Sequence, residues 1–270
     1  MFDHARHNGS NHLNGHCFVG LVLRIPIGNL ENTRYLSVPI GYRLRAEKEN
    51  KLNLAAEMIE QSLQEFPSEM KVILLCDSWY PKGAFRKTMA NHPQLELIAD
   101  VRSDTKLYDL LPGPTGKRGR PAKKGPVLQR QTDFEMALQA GDYLVSTRKV
   151  MINLFPVPVY AMMTTSKSEQ SSSSHLFIST LMPEDISMDQ HVLEDTDPEA
   201  AEEERRRLSP YYLYRHRWSI EVIFYEQKTF WSFGQYMIRS KKGIEIILIS
   251  PRLSTAAFSC FRLNRRRTPI

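Results

Sequence analysis

Four side chains in the segment 214–228 have the types and the spacing to bind a metal ion and phosphate. Tyr214, Arg217, Glu221 and Lys228 are separated by three, four and seven residues, and no Pro or Gly interrupts the segment. Its apolar residues recur at helical spacing, which predicts one helix with all four side chains near a single stripe. A carboxylate flanked by two cations and a phenol can hold a metal ion and bind phosphate oxygens.

This spacing, Tyr-x2-Arg-x3-Glu-x6-Lys, resembles the signature of the DDE transposases of bacterial insertion sequences, in the group named after insertion sequence four. The resemblance implies metal-dependent cleavage of DNA and its transfer to a new strand. A different interpretation stays open, in which the segment is a solvated surface helix. Its charged residues would then form i,i+4 ion pairs, as Arg217 and Glu221 could.

A second acid follows a short apolar run. Residues 72–76 predict a strand buried on both faces of a sheet, and Asp77 stands at its carboxyl end, where ligands of open α/β sheets bind. Leu-Leu-Cys-Asp-Ser-Trp-Tyr at 74–80, with Asp-Val-Arg-Ser-Asp-Thr-Lys-Leu-Tyr at 100–108, resembles the segment around the second catalytic aspartate of the same transposases. The alternative is that Asp77 is only the N-cap of the next helix.

The elements around Asp77 have the order of a ribonuclease H-like fold after its first strand. We expect strands at 17–27, 35–44, 72–76 and 95–102, a hairpin turn at 28–32, and helices at 51–66 and 84–90. Further strands are predicted at 141–165 and 175–181. The expected fold class is therefore α/β, a ribonuclease H-like mixed sheet with a β-rich insertion.

The chain should divide into four parts. We expect the first part of the ribonuclease H-like core at 1–110 and a β-rich insertion with a basic loop and an acidic linker at 111–208. A core helix with the third carboxylate should follow at 209–249, and a degenerate tail at 250–270. This scheme allows Asp77 and Glu221, far apart in the sequence, to meet at one metal site.

The loop 111–124 concentrates positive charge. Its Gly-Arg-Pro at 119–121 has basic flanks and looks like an AT-hook, an extended arm whose Arg enters the minor groove of DNA. A solvated loop is the alternative. The candidate DNA-binding cations are Lys117, Arg118, Arg120, Lys123 and Lys124.

The resemblance also assigns roles. In such enzymes three carboxylates hold two divalent ions, Mg2+ or Mn2+. Asp77 and Glu221 would be two of the carboxylates, whereas Tyr214, Arg217 and Lys228 would bind phosphates. The first carboxylate should lie on a central strand that would precede Met1, and the sole acid in the first thirty residues is Asp3, in a polar loop. We therefore expect an N-terminally truncated, inactive copy that lacks the first catalytic strand.

Composition agrees with an ordinary globular protein that has an anionic partner. The net charge is +6 and the pI is about 9.2, with 41% hydrophobic and 24% charged residues. Three scattered cysteines favour the reducing cytoplasm, and no apolar run reaches membrane-spanning length. The expected partners are terminal-repeat DNA and target DNA, with a homodimer on the DNA as a further expectation and no membrane. A non-catalytic DNA-binding remnant and a two-metal nuclease of the same fold remain as alternatives.

Overall fold

The structure, a computed structural model, describes residues 16–27, 34–111, 123–167, 174–186, 202–230, 232–235, 237 and 240–247. The hairpin turn at 28–32, most of the basic loop, most of the acidic linker, Asp3 and the tail at 250–270 lie outside these residues. The described strands, in chain order, are β1 Phe18–Ile27, β2 Arg34–Leu44, β3 Val72–Cys76, β4 Leu95–Val101, β5 Leu138–Ala140, β6 Tyr143–Val150, β7 Val159–Ser166 and β8 Ser174–Ser179. The described α-helices are α1 Lys51–Leu63, α2 Gly83–Asn91, α3 Arg130–Asp133, α4 Glu202–Arg215, α5 Ser219–Phe230 and α6 Lys241–Ile247.

The chain forms two compact units. Unit 1 combines Met1–Phe66 with Trp218–Ile270, and unit 2 is Pro67–Arg217. Unit 1 therefore contains β1, β2, α1, α5 and α6, and unit 2 contains the remaining described elements. Among the helices that the structure describes, none is long and apolar enough to cross a bilayer.

Unit 1 is built on an antiparallel ladder. Strands β1 and β2 pair in their own two-stranded sheet, which α1 and α5 contact. Helix α1 begins at the N-cap Asn50, whose side chain accepts a hydrogen bond from the backbone N–H of Leu52 at 2.9 Å. The predicted strands at 17–27 and 35–44 and the helix at 51–66 are confirmed, the helix ending three residues early.

A buried hydrogen bond ties α5 to this ladder. The hydroxyl of Tyr42, on β2, donates to Oε1 of Gln227 at 2.7 Å, and Gln227 is fully buried. A Cβ atom on Gly20 would lie 2.8 Å from the Tyr42 ring, so glycine on β1 allows this close approach. Within the part of the chain that the structure describes, Nε2 of Gln227 has no hydrogen-bond partner.

Unit 2 is organised around one six-stranded mixed sheet. The strand order is β3-β4-β8-β7-β6-β5, with β3 and β4 parallel and every other described pair antiparallel. The predicted mixed α/β sheet and its strands at 72–76, 95–102, 141–165 and 175–181 are confirmed, with 141–165 split into β6 and β7. The sequence did not indicate β5 or α3. Strand β8 pairs directly with β4, so the β-rich region continues the sheet that carries β3.

Side chains alternate between the two faces of this sheet. In β4, Leu97, Ala99 and Val101 pack in one cluster, and Ile98 packs in the other with Phe177 of β8 and residues of α4. Met89 of α2 and the side chains of Leu107, Leu128 and Phe134 pack on the first face, whereas α4 covers the second. We call the second the α4 face.

The predicted helix over 214–228 needs a correction. Helix α4 ends at Arg215, a 3₁₀ turn spans His216–Trp218, and α5 starts at Ser219. The boundary between the units falls inside this turn. The physical reason is packing, because α4 contacts strands of unit 2 and α5 contacts strands of unit 1. A 3₁₀ turn has 3.0 residues per turn instead of 3.6, so the segment 214–228 is not one continuous α-helix.

Truncation of Leu97 should destabilise unit 2. Leu97 is completely buried in β4, and Leu97→Ala removes apolar contacts and leaves a cavity, so we expect a loss of about 2–5 kcal/mol in the free energy of unfolding. Leu111→Ala is the matched control, because Leu111 is 50% exposed and its truncation should cost less than about 0.5 kcal/mol. Urea denaturation measures both values. Equal losses for the two variants would contradict the assigned core.

Loss of the Tyr42 hydroxyl should destabilise unit 1. Tyr42→Phe leaves the buried amide of Gln227 with no partner on either polar atom, which should cost about 1–3 kcal/mol. Adding Gln227→Leu removes the stranded amide, so the double variant should recover part of this loss. Thermal unfolding of the three proteins checks this. A double variant less stable than Tyr42→Phe alone would contradict the assigned bond.

Candidate functional site

Asp77 lies exposed at the carboxyl end of β3. Its Oδ1 accepts a hydrogen bond from the backbone N–H of Trp79 at 3.0 Å, and its carbonyl accepts one from Tyr80 at 3.1 Å. These bonds close a tight turn. The N-cap of α2 is Lys82, so Asp77 does not cap that helix and the N-cap interpretation is excluded.

The parallel register of β3 and β4 places a second acid beside Asp77. Cys76 pairs with Ala99, so the next residues along the two strands are Asp77 and Asp100. Asp100 pairs on its other side with Phe177 of β8, which packs in the cluster under α4. Directly paired residues of a ladder point to the same face. The Asp100 carboxylate therefore belongs to the α4 face.

Burial raises the pKa of Asp100 above its usual range, although His175 and Arg217 act in the opposite direction. The charge of Asp77 raises it further. Asp100 is half-buried and has a raised pKa, and it lies beside the exposed carboxylate of Asp77. A perturbed pKa of this kind is common at functional sites. The sequence did not single out Asp100 as a site residue. Its acid within the largely apolar segment 95–101 was nevertheless a signal that could have indicated it.

Tyr214 lies over the same edge of the sheet. Its ring packs against Phe177, with 4.7 Å between ring centroids, and the charge of Asp100 acts on its hydroxyl. Burial raises the pKa of Tyr214 to about 12, with Arg217 opposing the shift. The phenol therefore stays protonated at physiological pH. It can donate a hydrogen bond but cannot serve as a base.

Arg217 completes this group. Its Cζ atom lies 5.8 Å from the centroid of the Tyr214 ring, and its charge acts on both Cys76 and Asp100. Asp100, Tyr214 and Arg217 thus lie close together in unit 2, and the charge of Asp77, which follows β3, acts on Asp100. A guanidinium and a phenol beside exposed carboxylate oxygen can bind a phosphate and a cation at neighbouring positions.

Glu221 and Lys228 belong to unit 1. Both are exposed on α5, whose buried residues are Ile223 and Gln227. Glu221 and Lys228 are seven residues apart, about two helical turns, so they share one face of α5. That face is directed away from the packed side of the helix.

The basic loop is described only at its end. Lys117, Arg118 and Arg120 lie outside the described residues, so the AT-hook stays a prediction. Lys123 is exposed. Lys124 bonds to Oδ1 of Asn153, and its Nζ lies 4.7 Å from the centroid of the Tyr108 ring.

The donors present suit a hard divalent cation. Asp77 offers exposed carboxylate oxygen, and Mg2+ is commonly held by one or two carboxylates together with water and phosphate oxygens. Among the described residues, no group of three or more His, Cys, Asp or Glu side chains is placed to hold a metal ion. Asp77 and Glu221 belong to different units, so their joint role remains a prediction.

Comparison with known families decides the class of protein. Residues 32–250 match the model of a family described as a transposase DDE domain. The chain belongs to the DDE transposase family. Membership agrees with the ribonuclease H-like mixed sheet and confirms the prediction of a DDE-type transposase. It implies DNA as the partner and a general use of divalent metals. No curated protein matches the chain.

The thiol beside Asp77 should be unreactive in the folded transposase. Cys76 is 7% exposed, and burial raises the pKa of its thiol far above the usual range, with the charge of Asp77 adding to the shift. In a Cys260→Ser variant at pH 8, we expect Ellman's reagent to modify Cys17 rapidly and Cys76 only after denaturation. Two rapidly reacting thiols in the folded protein would contradict the orientation assigned to the end of β3.

Proposed function

We propose that this transposase cleaves and joins insertion-sequence DNA and belongs to the group named after insertion sequence four. Asp77 and Glu221 act as metal-holding acids, and Tyr214, Arg217 and Lys228 bind DNA phosphates. The observation that carries the proposal is the edge of β3 and β4, where Asp77 is exposed and where the charges of Asp77 and Arg217 both act on Asp100, next to Tyr214.

The electrostatics of this edge support the assigned roles. The Arg217 guanidinium is permanently charged and can bind two phosphate oxygens at once. The Tyr214 hydroxyl stays protonated near neutral pH and can donate a hydrogen bond to phosphate. Asp100 binds its proton more tightly than an ordinary carboxyl group does. Asp77, exposed and beside it, is then the group better suited to hold a cation.

The ions expected are Mg2+ or Mn2+, with two ions in an intact family site. When bound, they polarise a phosphoryl oxygen and lower the pKa of a water or hydroxyl nucleophile. The chain's own residues do the rest. Asp77 and Glu221 supply carboxylate oxygens, whereas Arg217 and Tyr214 orient the phosphate.

The DNA partner follows from the same assignment. We propose that terminal repeats and target DNA are the substrates and that the protein acts on them as a homodimer. The basic residues Lys117, Arg118, Arg120, Lys123 and Lys124 would bind the DNA outside the cleaved bond. Lys228 contributes a further exposed cation on α5, on the same face as Glu221.

One observation favours a second candidate function, a DNA-binding protein without cleavage activity. The described residues include no group of three acidic or otherwise ligating side chains that could hold a metal ion. Arg217, Tyr214 and the basic residues would still bind phosphate in such a protein.

The deciding experiment incubates the full chain with duplex DNA that carries the sequence flanking its coding region, with Mg2+, with Mn2+ or with a chelator. The expectation of a truncated, inactive copy predicts no cleavage in this experiment, whereas the transposase activity proposed here predicts metal-dependent nicks and joined products. Because each acid would hold the metal, Asp77→Asn and Glu221→Gln should each lower the rate on the order of 10³-fold. Asp142→Asn and Glu57→Gln are the matched controls, since both acids are exposed and lie outside the candidate site.

The products distinguish the candidate functions. DNA binding without any metal-dependent cleavage would support the binding protein and refute the transposase activity. Cleavage to simple hydrolysis products, with no joined strands, would point to a nuclease. Equal losses in the control and site variants would remove Asp77 and Glu221 from their assigned roles.

A further inference from the structure

We propose that unit 2 has a second phosphate site, a cavity between β6, β7 and the first turns of α4, that holds a backbone phosphate of the DNA away from the cleaved bond. The inference rests on the proposed function for its ligand. The cavity has a volume of about 310 Å³. Its lining includes the cations Lys149, Arg206 and Arg207 and the acids Glu184 and Glu203, together with Thr147 and Tyr160.

Strand register decides which charges face the cavity. Thr147 pairs with Met162 and Lys149 with Tyr160, and both partners belong to or pack in the cluster on the α4 face. Arg148 alternates to the opposite face, where its guanidinium bonds to the Asp109 carboxylate at 3.0 Å. Arg148 therefore adds no charge to the cavity.

Arg207 is held in place by uncharged groups. Its Nε and Nη2 atoms donate to Oγ1 of Thr147 at 3.0 and 2.9 Å, and the Tyr160 hydroxyl donates to its backbone carbonyl at 3.3 Å. These bonds fix the guanidinium through Nε and Nη2 and do not use Nη1. A preoriented guanidinium is well suited to phosphate because less side-chain entropy is lost on binding.

The other cations of the cavity have acidic partners. Arg206 forms an ion pair with Glu202 at 3.2 Å, and Lys149 pairs with Glu184 at 3.6 Å. Among the described residues, no acid forms an ion pair with Arg207. Arg207 is thus the cation of the cavity whose described hydrogen bonds are all to neutral groups, while the Glu203 carboxylate lies one helical turn earlier on α4 and lines the same cavity.

The position of Arg207 fits a DNA strand that also reaches Tyr214. The two residues are seven apart on α4, so they lie on one face and about 10 Å apart along its axis. One strand of duplex DNA carries a phosphate about every 3.4 Å of its axis. Arg207 would therefore hold a phosphate about three nucleotides from the one that Tyr214 and Arg217 bind.

Strand order keeps the two sites distinct. Strand β6 is four positions from β3 in the sheet, about 19 Å at the usual strand spacing. The cavity therefore cannot contribute to the reacting phosphate itself. It would position the duplex, and its contribution should not depend on base sequence.

The test measures DNA binding by fluorescence anisotropy for the full chain at several KCl concentrations between about 50 and 200 mM. Arg207→Gln should weaken binding about tenfold and lower the slope of log K against log salt by about 1, equally for flanking-sequence DNA and for an unrelated duplex. Arg207→Lys should keep the slope but bind less tightly, because it retains the charge and loses the fork. Thr147→Val should weaken binding without a change of slope.

Arg86→Gln is the matched control, since Arg86 is exposed on α2, on the opposite side of the sheet, and should leave both quantities unchanged. Thermal unfolding must show each variant folded. Phosphate-ethylation interference supplies the second measurement, which does not depend on the size of the affinity loss. Arg207→Gln should abolish interference at one phosphate about three nucleotides from the position affected by Tyr214→Phe.

The outcomes separate this proposal from the proposed function. A folded Arg207→Gln variant with an unchanged salt slope and interference pattern would overturn the phosphate site and leave the transposase assignment standing. A wild-type chain that binds DNA through Arg207 but cleaves nothing would support the site while refuting catalysis. If calorimetry detected Arg207-dependent binding of inorganic phosphate but no binding of DNA, the assignment of the ligand to DNA would be wrong.

Discussion

The parallel pairing of β3 with β4 is the constraint on which the candidate site depends. Because Cys76 is level with Ala99, the next residues along both strands are acids, and both reach the carboxyl edge of the sheet. Cys76 packs in the buried cluster on the side of the sheet that α2 covers, and this packing fixes the end of β3. A shift of one residue in either strand would bury one carboxylate in that cluster, where ionisation costs several kcal/mol.

Helix α4 converts this edge into a polar surface with two centres. Its apolar side packs on Phe177 and neighbouring strands, and the same packing brings Tyr214 and Arg217 over the acids. At its other end, Arg207 meets Thr147 and the Tyr160 hydroxyl. One helix therefore links an acidic edge, suited to a cation, with the cavity that holds the Arg207 guanidinium, where we propose that a phosphate binds. DNA bound by a metal-dependent enzyme requires both kinds of site.

The sequence predicted what depends on local pattern. The apolar run 72–76 matches β3 in both bounds, and hydrophobic periodicity located β1, β2, α1 and α2 to within a few residues. The sequence did not indicate the role of Asp100, because the position of Asp100 beside Asp77 depends on the register between β3 and β4, which no local pattern specifies. The cavity was equally hidden, since Thr147, Tyr160 and Arg207 are distant in sequence. The 3₁₀ turn at His216–Trp218 was missed because three residues are too few to distinguish a period of 3.0 from one of 3.6.

The central proposal is that Asp77 and Glu221 each act as a metal-holding acid. Iron-mediated hydroxyl-radical cleavage of the polypeptide tests it directly, because Fe2+ can occupy a Mg2+ site and breaks the chain near its ligands. The account predicts peptide breaks next to residues 77 and 221, suppressed by excess Mg2+ and both lost in Asp77→Asn. Breaks elsewhere in the chain, or a pattern that Asp77→Asn leaves unchanged, would contradict it.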